Sequence, residues 1–328
     1  MSKKGTNKTE ASSTKKAATP KSQDTPKPKT NPTTGVIIAA LDSPYYGNYA
    51  FQLALSVKHT SPGLQVALLC NDKGKGHLTQ DKLNIFDKII KVNDVAVTSN
   101  GRPATLKFKT YLYQISPFDN TLFLDADTLI LPKNNLLNMI AEIPKDCNFT
   151  MQNRGFIDLA KATKEQLNQR FIVWANSLHI KEKYNFEEGK LYNLSSELIF
   201  FRKSKEVEAL FKTAQKEYDN IKVNFESFNG GVPDELPFSI AMIKEGIYPH
   251  LDAWRPFYWE AFDKKRLLKK PRELYDQYYG VSFGGNFQEN FIKKFYQDLA
   301  RVYANAFAVQ YVFPLKDKRS FLANRHTI

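Results

Sequence analysis

The chain has 328 residues, 42% apolar and 25% charged, which supports a sizeable core in one large domain or two modest ones. Its longest apolar run, residues 35–41, is far short of the roughly 20 residues of a membrane-spanning helix; two cysteines exclude a disulfide scaffold and fit a reduced, cytoplasmic setting, and five histidines without HxxxH or HxH spacing argue against a histidine-built zinc enzyme. The net charge of +13 favours anionic partners such as nucleotides, nucleic acid or acidic glycans without choosing among them.

Residues 1–34 carry eight lysines against one Glu and one Asp, four prolines, and no aromatic residue, Val, Ile or Leu. Such a segment cannot bury enough apolar area to offset its ordering entropy, so it reads as a disordered basic tail that is free to touch an anionic partner or simply solubilises the chain. Residues 35–328 read as a single α/β domain. The run 35–41 suits a strand buried on both faces. A turn at Asp42-Ser43-Pro44 leads to a helix over 47–60, and a second strand covers 64–70. A helix near 79–88 and a short strand at 89–92 complete a βαβαβ order. That order predicts a parallel sheet with right-handed crossovers, the nucleotide-binding arrangement. Further expected elements are a helix over 106–115, a strand over 121–131, a helix over 134–142 and an irregular stretch to 190. A strand over 194–201, a helix over 204–218, a helix from near Asp234 and a final helix over 287–307 follow. Residues 250–285 are aromatic, basic and hard to assign.

Chemistry concentrates in Asp125-Ala126-Asp127, a D-x-D motif that interrupts an apolar run. On a strand, positions 125 and 127 share a face. Two close carboxylates repel, and burying either alone costs several kcal/mol. A divalent cation resolves both problems, because Mg²⁺ and Mn²⁺ take one or two carboxylates together with phosphate oxygens. The motif therefore points to a metal–diphosphate site at the carboxyl end of a sheet strand. The tamer alternative is a pair of strand-end acids capping a loop.

With these residues in view, the sequence resembles the GT-A-fold glycosyltransferases, in particular the glycogenin-like and galactosyltransferase-like members of family 8. Residues 107–131, with the Asp-Ala-Asp-Thr-Leu run, look like their donor segment. Ser195-Ser196-Glu197-Leu198 looks like their Asn-Ser-Gly-Val strand, and residues 230–235 look like their Gly-Gly-Asp-Gln helix start with a Val-Pro insertion. The resemblance implies a GT-A fold with a mostly parallel central sheet, a nucleotide-sugar half over 35–131 and an acceptor half over 132–328. It implies transfer of a sugar from a nucleotide-sugar, UDP-linked, with Mn²⁺ or Mg²⁺, and a retaining outcome. Asp125 and Asp127 would hold the metal. Lys109 would meet the sugar-nucleotide, although spacing alone equally allows a solvated helix lysine. Asp234 and Glu235 would lie by the reacting carbon, although acids at a helix start also complement its dipole. Ala39, Leu41 and Asp42, with Tyr46 or Tyr45, and Asp72 with Asn71, would surround the nucleoside, where turn formation and packing are the plain alternatives. The acceptor is open: glycan, protein, lipid-linked sugar or modified nucleic acid.

Two departures stand out. Where the family has a metal-binding His, Ser282 stands, which leaves the remaining coordination to water, substrate, His250 or His326. The family's Asn-Ser-Gly has become Ser195-Ser196-Glu197. A second reading follows: a catalytically inactive GT-A-like protein that uses its tail and its basic clusters (Lys264-Lys265-Arg266, Lys269-Lys270-Pro271-Arg272, and Lys316, Lys318 and Arg319) on nucleic acid or an assembly.

Overall fold

The computed structural model describes residue 1 and residues 32–226, 231–259, 271–284 and 290–311. Residues 2–31 of the expected tail, Gly230, all but Pro271 and Arg272 of the two larger basic clusters, the smaller cluster at 316–319 and His326 lie outside the described residues, and Thr34, expected in the tail, opens β1. The structure is α/β. A six-stranded sheet takes β1 (Thr34–Ala40), β2 (Gln65–Cys70), β3 (Lys88–Lys91), β4 (Asn120–Leu124), β6 (Phe149–Asp158) and β7 (Lys190–Arg202) in the spatial order β3-β2-β1-β4-β7-β6. The first four are mutually parallel, while β7 runs antiparallel to both β4 and β6. A smaller sheet joins β5 (Thr128–Ile130), β8 (Phe257–Trp259) and β9 (Gly280–Ser282) in the order β8-β9-β5.

The run at 35–41 does become a doubly buried central strand. Val36, Ile38 and Ala40 join a core with α1 (Pro44–Thr60) and α5 (Asn290–Ala306); Ile37 and Leu41 join a second core with α3 (Lys205–Asp219) and α4 (Glu235–Glu245). Each such side chain contributes roughly 1.5–3 kcal/mol of burial. A short helix α2 (Leu136–Glu142) precedes β6. Among the described residues no helix is long and apolar enough to cross a membrane.

Several expected elements differ. Helix α1 starts at Pro44 rather than 47, because Ser43 caps it through Tyr45 N and a proline costs nothing in a first turn. Of the helix expected over 79–88 only a single turn, Gln80–Leu83, forms, and a separate turn, Asp72–Lys75, capped by Asn71 Oδ1 accepting from Gly74 N, precedes it. Residues 105–115 form a 3₁₀ turn (Thr105–Tyr111) and one α-turn (Leu112–Ile115). The strand expected over 121–131 is two strands, β4 and β5, in different sheets, with the acids in the turn between them. The stretch expected to be irregular holds β6. Its buried Gln152 and Asn153 break the apolar pattern, yet their polar atoms are met by Glu197 Oε1 at 2.7 Å and Leu251 O at 3.2 Å.

Gly74 sits where the Asp72–Lys75 turn crosses the end of β1: a Cβ there would lie 1.9 Å from Ala40 O. Gly74→Ala is expected to displace this crossing and lower stability by about 1–3 kcal/mol. Urea unfolding measures it, and a midpoint equal to wild type would refute the close approach.

Candidate active site

Strands β1, β2 and β3 step outward along the sheet, and the chain then returns to place β4 on the other side of β1. That reversal makes a topological switch point beyond the carboxyl ends of β1 and β4, the position at which open α/β sheets form a ligand-binding crevice. Leu41-Asp42 enter it from β1, and Asp125-Ala126-Asp127 from β4.

The acidic turn is held from both sheets. Asp125 N donates to Glu197 O (3.0 Å), Thr128 N and Oγ1 donate to Asp125 O (3.1 and 2.7 Å), and Phe283 N donates to Asp127 O (3.0 Å). Ala126 is buried in the core while both acids stay half-exposed. Strand alternation therefore does not set their orientation, contrary to the sequence expectation; the turn does, by sinking its central methyl.

Lys109 is 3% exposed. Its ammonium lies 3.0 Å from both carboxylate oxygens of Asp125 and 3.0 Å from Asp234 Oδ2. It also donates to Ser196 Oγ (3.0 Å) and Ser196 O (3.3 Å) and sits 5.3 Å from the Phe123 ring centroid. Ser196 Oγ in turn donates to Glu235 Oε1 (3.1 Å). Lys109, Asp125, Asp234 and Glu235, widely separated in sequence, thus form one cluster through Ser196, which the sequence reading did not single out. The ammonium faces its carboxylates rather than solvent, so it braces the acids. Burial alone would lower the Lys109 pKa; Asp125, Asp234 and Glu235 outweigh it and raise it. Desolvation raises Asp125 against the pull of Lys109, with Asp127 and Asp234 adding repulsion. Desolvation and then Asp234 push Glu235 up to about 8. Asp234 Oδ2 has its ion pair but no aligned hydrogen bond, a buried acceptor with capacity left.

A second polar group adjoins the first. Glu197 Oε1 accepts from Gln152 Nε2 (2.7 Å) and Ser195 Oγ (3.0 Å), while burial raises the Glu197 carboxyl. Arg154 Nη2 lies 3.5 Å from Ser195 Oγ. Gln152 and Arg154 were missed because they fall in the run read as irregular. The three consecutive polar residues Gln152-Asn153-Arg154 show no strand alternation, so the sequence carried no signal for them.

At the nucleoside end, Ala39 is half-buried and Leu41 buried. Asp42 has φ +58° and accepts from Asn71 Nδ2 (2.9 Å) and from Thr105 Oγ1. Tyr46 is half-buried; burial raises its hydroxyl, and Asp127 and Asp125 raise it further, so it lies beside the acidic turn. Asp72 is turned outward, 90% exposed, 3.3 Å from Lys91 Nζ, apart from the cluster. Ser282, 3% exposed, pairs in register with Thr128 and so flanks the acidic turn. His250 does not: it is hydrogen-bonded to Thr150 Oγ1 (3.0 Å) and packed edge-on against Trp254. Trp254 and Tyr258 are core residues.

Among the described residues no group of three or more His, Cys, Asp and Glu could hold a metal. Two half-exposed carboxylates on one fixed turn nevertheless fit Mg²⁺ or Mn²⁺, which are content with one or two protein carboxylates and phosphate oxygens.

No family model and no curated protein matches the chain. Solved structures do. The galactosyltransferase LgtC in complex with donor and acceptor sugar analogs matches with a TM-score of 0.50 at 15% identity, over 88% of this chain and all of that one. An active-site mutant of LgtC gives 0.50 and 15% over 86% and 100%. The bifunctional glycosyltransferase WbbM gives 0.49 and 13%, over 79% of this chain and 47% of that one, so the chain spans about half of WbbM. The likeness establishes the fold: this is a GT-A-like α/β protein, and its structural resemblance to family 8 glycosyltransferases extends across most of the chain.

Glu235 binds its proton more tightly folded than unfolded. Its contribution to stability is therefore complete below about 4.5 and lost as pH rises through about 8. Glu235→Gln keeps an acceptor for Ser196 and removes the titration. Its unfolding free energy, measured in urea at pH 5 and pH 9, is expected to fall less with pH than wild type, by roughly 1 kcal/mol or more. Parallel pH slopes would show that Glu235 titrates normally.

Proposed function

We propose that the chain is a metal-dependent glycosyltransferase, moving a sugar from a UDP-linked donor to an acceptor on a glycan, a protein or modified nucleic acid. The observation that carries the reading is the fixed, half-exposed Asp125/Asp127 pair at the topological switch point, backed by buried Lys109. Asp125 and Asp127 would hold Mn²⁺ or Mg²⁺; the bound ion would neutralise the departing diphosphate. Lys109 keeps Asp125 and Asp234 in fixed positions, so their charge needs no reorganisation during reaction. Ala39, Leu41, Asp42 and Tyr46 would receive the nucleoside at the end of β1. Asp234 and Glu235 would flank the reacting carbon, where a cationic character develops and a nearby carboxyl group stabilises it or orients the acceptor. Retention of configuration follows from the family resemblance alone.

One observation favours the inactive half of the second reading, a relative without turnover that still binds a donor; its use of the tail and basic clusters on nucleic acid or an assembly falls on residues that are mostly not described. Ser282 lies in register with Thr128 beside the acidic turn, the family resemblance would put the third ligand there, and hydroxyls bind such ions poorly. The two readings separate on one variant and one assay. Asp127→Asn should keep the wild-type melting temperature yet lose Mn²⁺-dependent UDP binding by more than tenfold in calorimetry; unchanged binding would dismiss both. Release of free sugar from UDP-glucose or UDP-galactose by wild type, absent in the variant, selects the enzyme.

A further inference from the structure

We propose that Glu197 reads the sugar: its second carboxyl oxygen, Oε2, hydrogen-bonds a ring hydroxyl of the donor and makes this residue a determinant of donor specificity. That the sugar belongs to a donor rests on the transferase reading.

Glu197 reaches the site through a bulge in β7. Ser195 pairs with Gln152 and Ile199 with Met151, so Ser196, Glu197 and Leu198 have no opposite residue on β6. On its other side β7 stays in step with β4: Leu198 faces Leu124, and Asp125 N donates to Glu197 O at 3.0 Å. A regular strand would send residues 196 and 197 to opposite faces. A bulge re-aims side chains, and bulges collect beside active sites for that reason. Here both residues serve one place. Ser196 Oγ joins Lys109 to Glu235. Desolvation and Asp234 lead in raising the Glu235 carboxyl and Glu197 adds to them, so the two glutamate side chains are neighbours. Glu197 thus borders the acidic turn through its backbone and the Asp234–Glu235 pair through its side chain.

The two oxygens of Glu197 are used unequally. Oε1 accepts from Gln152 Nε2 (2.7 Å) and from Ser195 Oγ (3.0 Å), and Gln152 is itself fixed by accepting from Phe257 N (3.0 Å). These bonds set the orientation of the whole carboxyl group. Among the described residues Oε2 has no hydrogen-bond partner, although the residue is only 9% exposed. Bracing the strands needs one oxygen; an unmet second oxygen on a buried carboxyl group costs stability until a ligand meets it.

The surroundings select the ligand. Asp125, Asp127, Asp234 and Glu235 lie close by, so an anionic group without a cation of its own is repelled. An uncharged hydroxyl is not. It donates to a carboxylate and accepts from a protonated carboxyl, so it suits Glu197 in either state. A sugar ring supplies such hydroxyls. A donor with its diphosphate on the Asp125/Asp127 turn and its reacting carbon at Asp234 and Glu235 has its ring beside Glu197. A site built to hydrogen-bond a hydroxyl rejects the analogue that lacks it, because its own polar atom is then left unpaired.

The test measures, by calorimetry with Mn²⁺, the affinity of the full chain for UDP, UDP-glucose, UDP-galactose and the 2-, 3-, 4- and 6-deoxy forms of both sugars. One deoxy position is expected to weaken binding by about tenfold or more relative to its parent. In Glu197→Met, similar in length but without either oxygen, that loss should shrink to less than about threefold while UDP affinity stays at the wild-type value. In Glu197→Gln, whose amide keeps the Oε1 contacts and offers an N–H in the place of Oε2, the loss should persist. If Glu197→Met does not fold, Glu197→Asp, which draws the carboxyl back by one methylene, carries the same comparison. Equal binding of every deoxy form by wild type, or an undiminished loss in Glu197→Met, overturns the proposal and leaves Glu197 a brace between strands. UDP bound without discrimination among the sugars removes the role of Glu197 alone; no binding of UDP or of any UDP-sugar removes the transferase reading with it.

Discussion

An ammonium taken out of water among carboxylates is the constraint on which the rest of the site depends. Lys109 is nearly fully buried, and removing such a charge from solvent costs several kcal/mol unless partners repay it. Its partners are Asp125 on the turn after β4, Ser196 on β7 and Asp234 at the start of α4. Three segments far apart in the chain can meet only if the sheet order is correct. The ion cluster is thus both a product of the fold and a check on it. It also explains why Asp125 can stay half-exposed and still be fixed: one side of its carboxylate is tied inward, and the remainder of the turn faces the crevice.

The crevice comes from topology rather than from any single residue. Parallel β1, β2 and β3 run out from the centre, and β4 returns beside β1. Each central strand must then bury both faces, one against α1 and α5 and the other against α3 and α4. Gly74 lets the Asp72–Lys75 turn cross the end of β1 at backbone contact, and Asn71 and Thr105 hold Asp42 in its left-handed conformation. The rim around the acidic pair is therefore built from loops that are individually pinned.

The site holds more acid than one lysine can neutralise. Asp125, Asp127, Asp234, Glu235 and Glu197 gather around Lys109 and Arg154, and desolvation drives Glu235 and Glu197 toward their neutral forms. At the other end of this group Arg154 approaches Ser195 Oγ at 3.5 Å and brings a second positive charge toward Glu197 and Glu235. Glu197 ties β7 to Gln152 and, through Gln152 Oε1, to Phe257 at the head of β8, so one buried carboxyl group helps join the two sheets.

The sequence by itself determined the α/β class, the buried β1 and the alternating βαβ opening, because apolar runs are local signals; it singled out Asp125 and Asp127 as charges set in such a run, and Lys109, Asp234 and Glu235 through the family resemblance. It misjudged β6, where Gln152 and Asn153 are buried but satisfied by partners more than 40 residues away, a satisfaction that no window of residues can reveal. It also read one strand across 121–131, where the cost of burying two carboxylates splits the run into β4 and β5. Only the tertiary structure decided that Lys109 points inward, that Ser196 links it to Glu235, and that Asp72 faces outward while Tyr46 lies beside the acids. Pattern reports which residues seek burial; pairing across the sheet alone decides which of them find each other there.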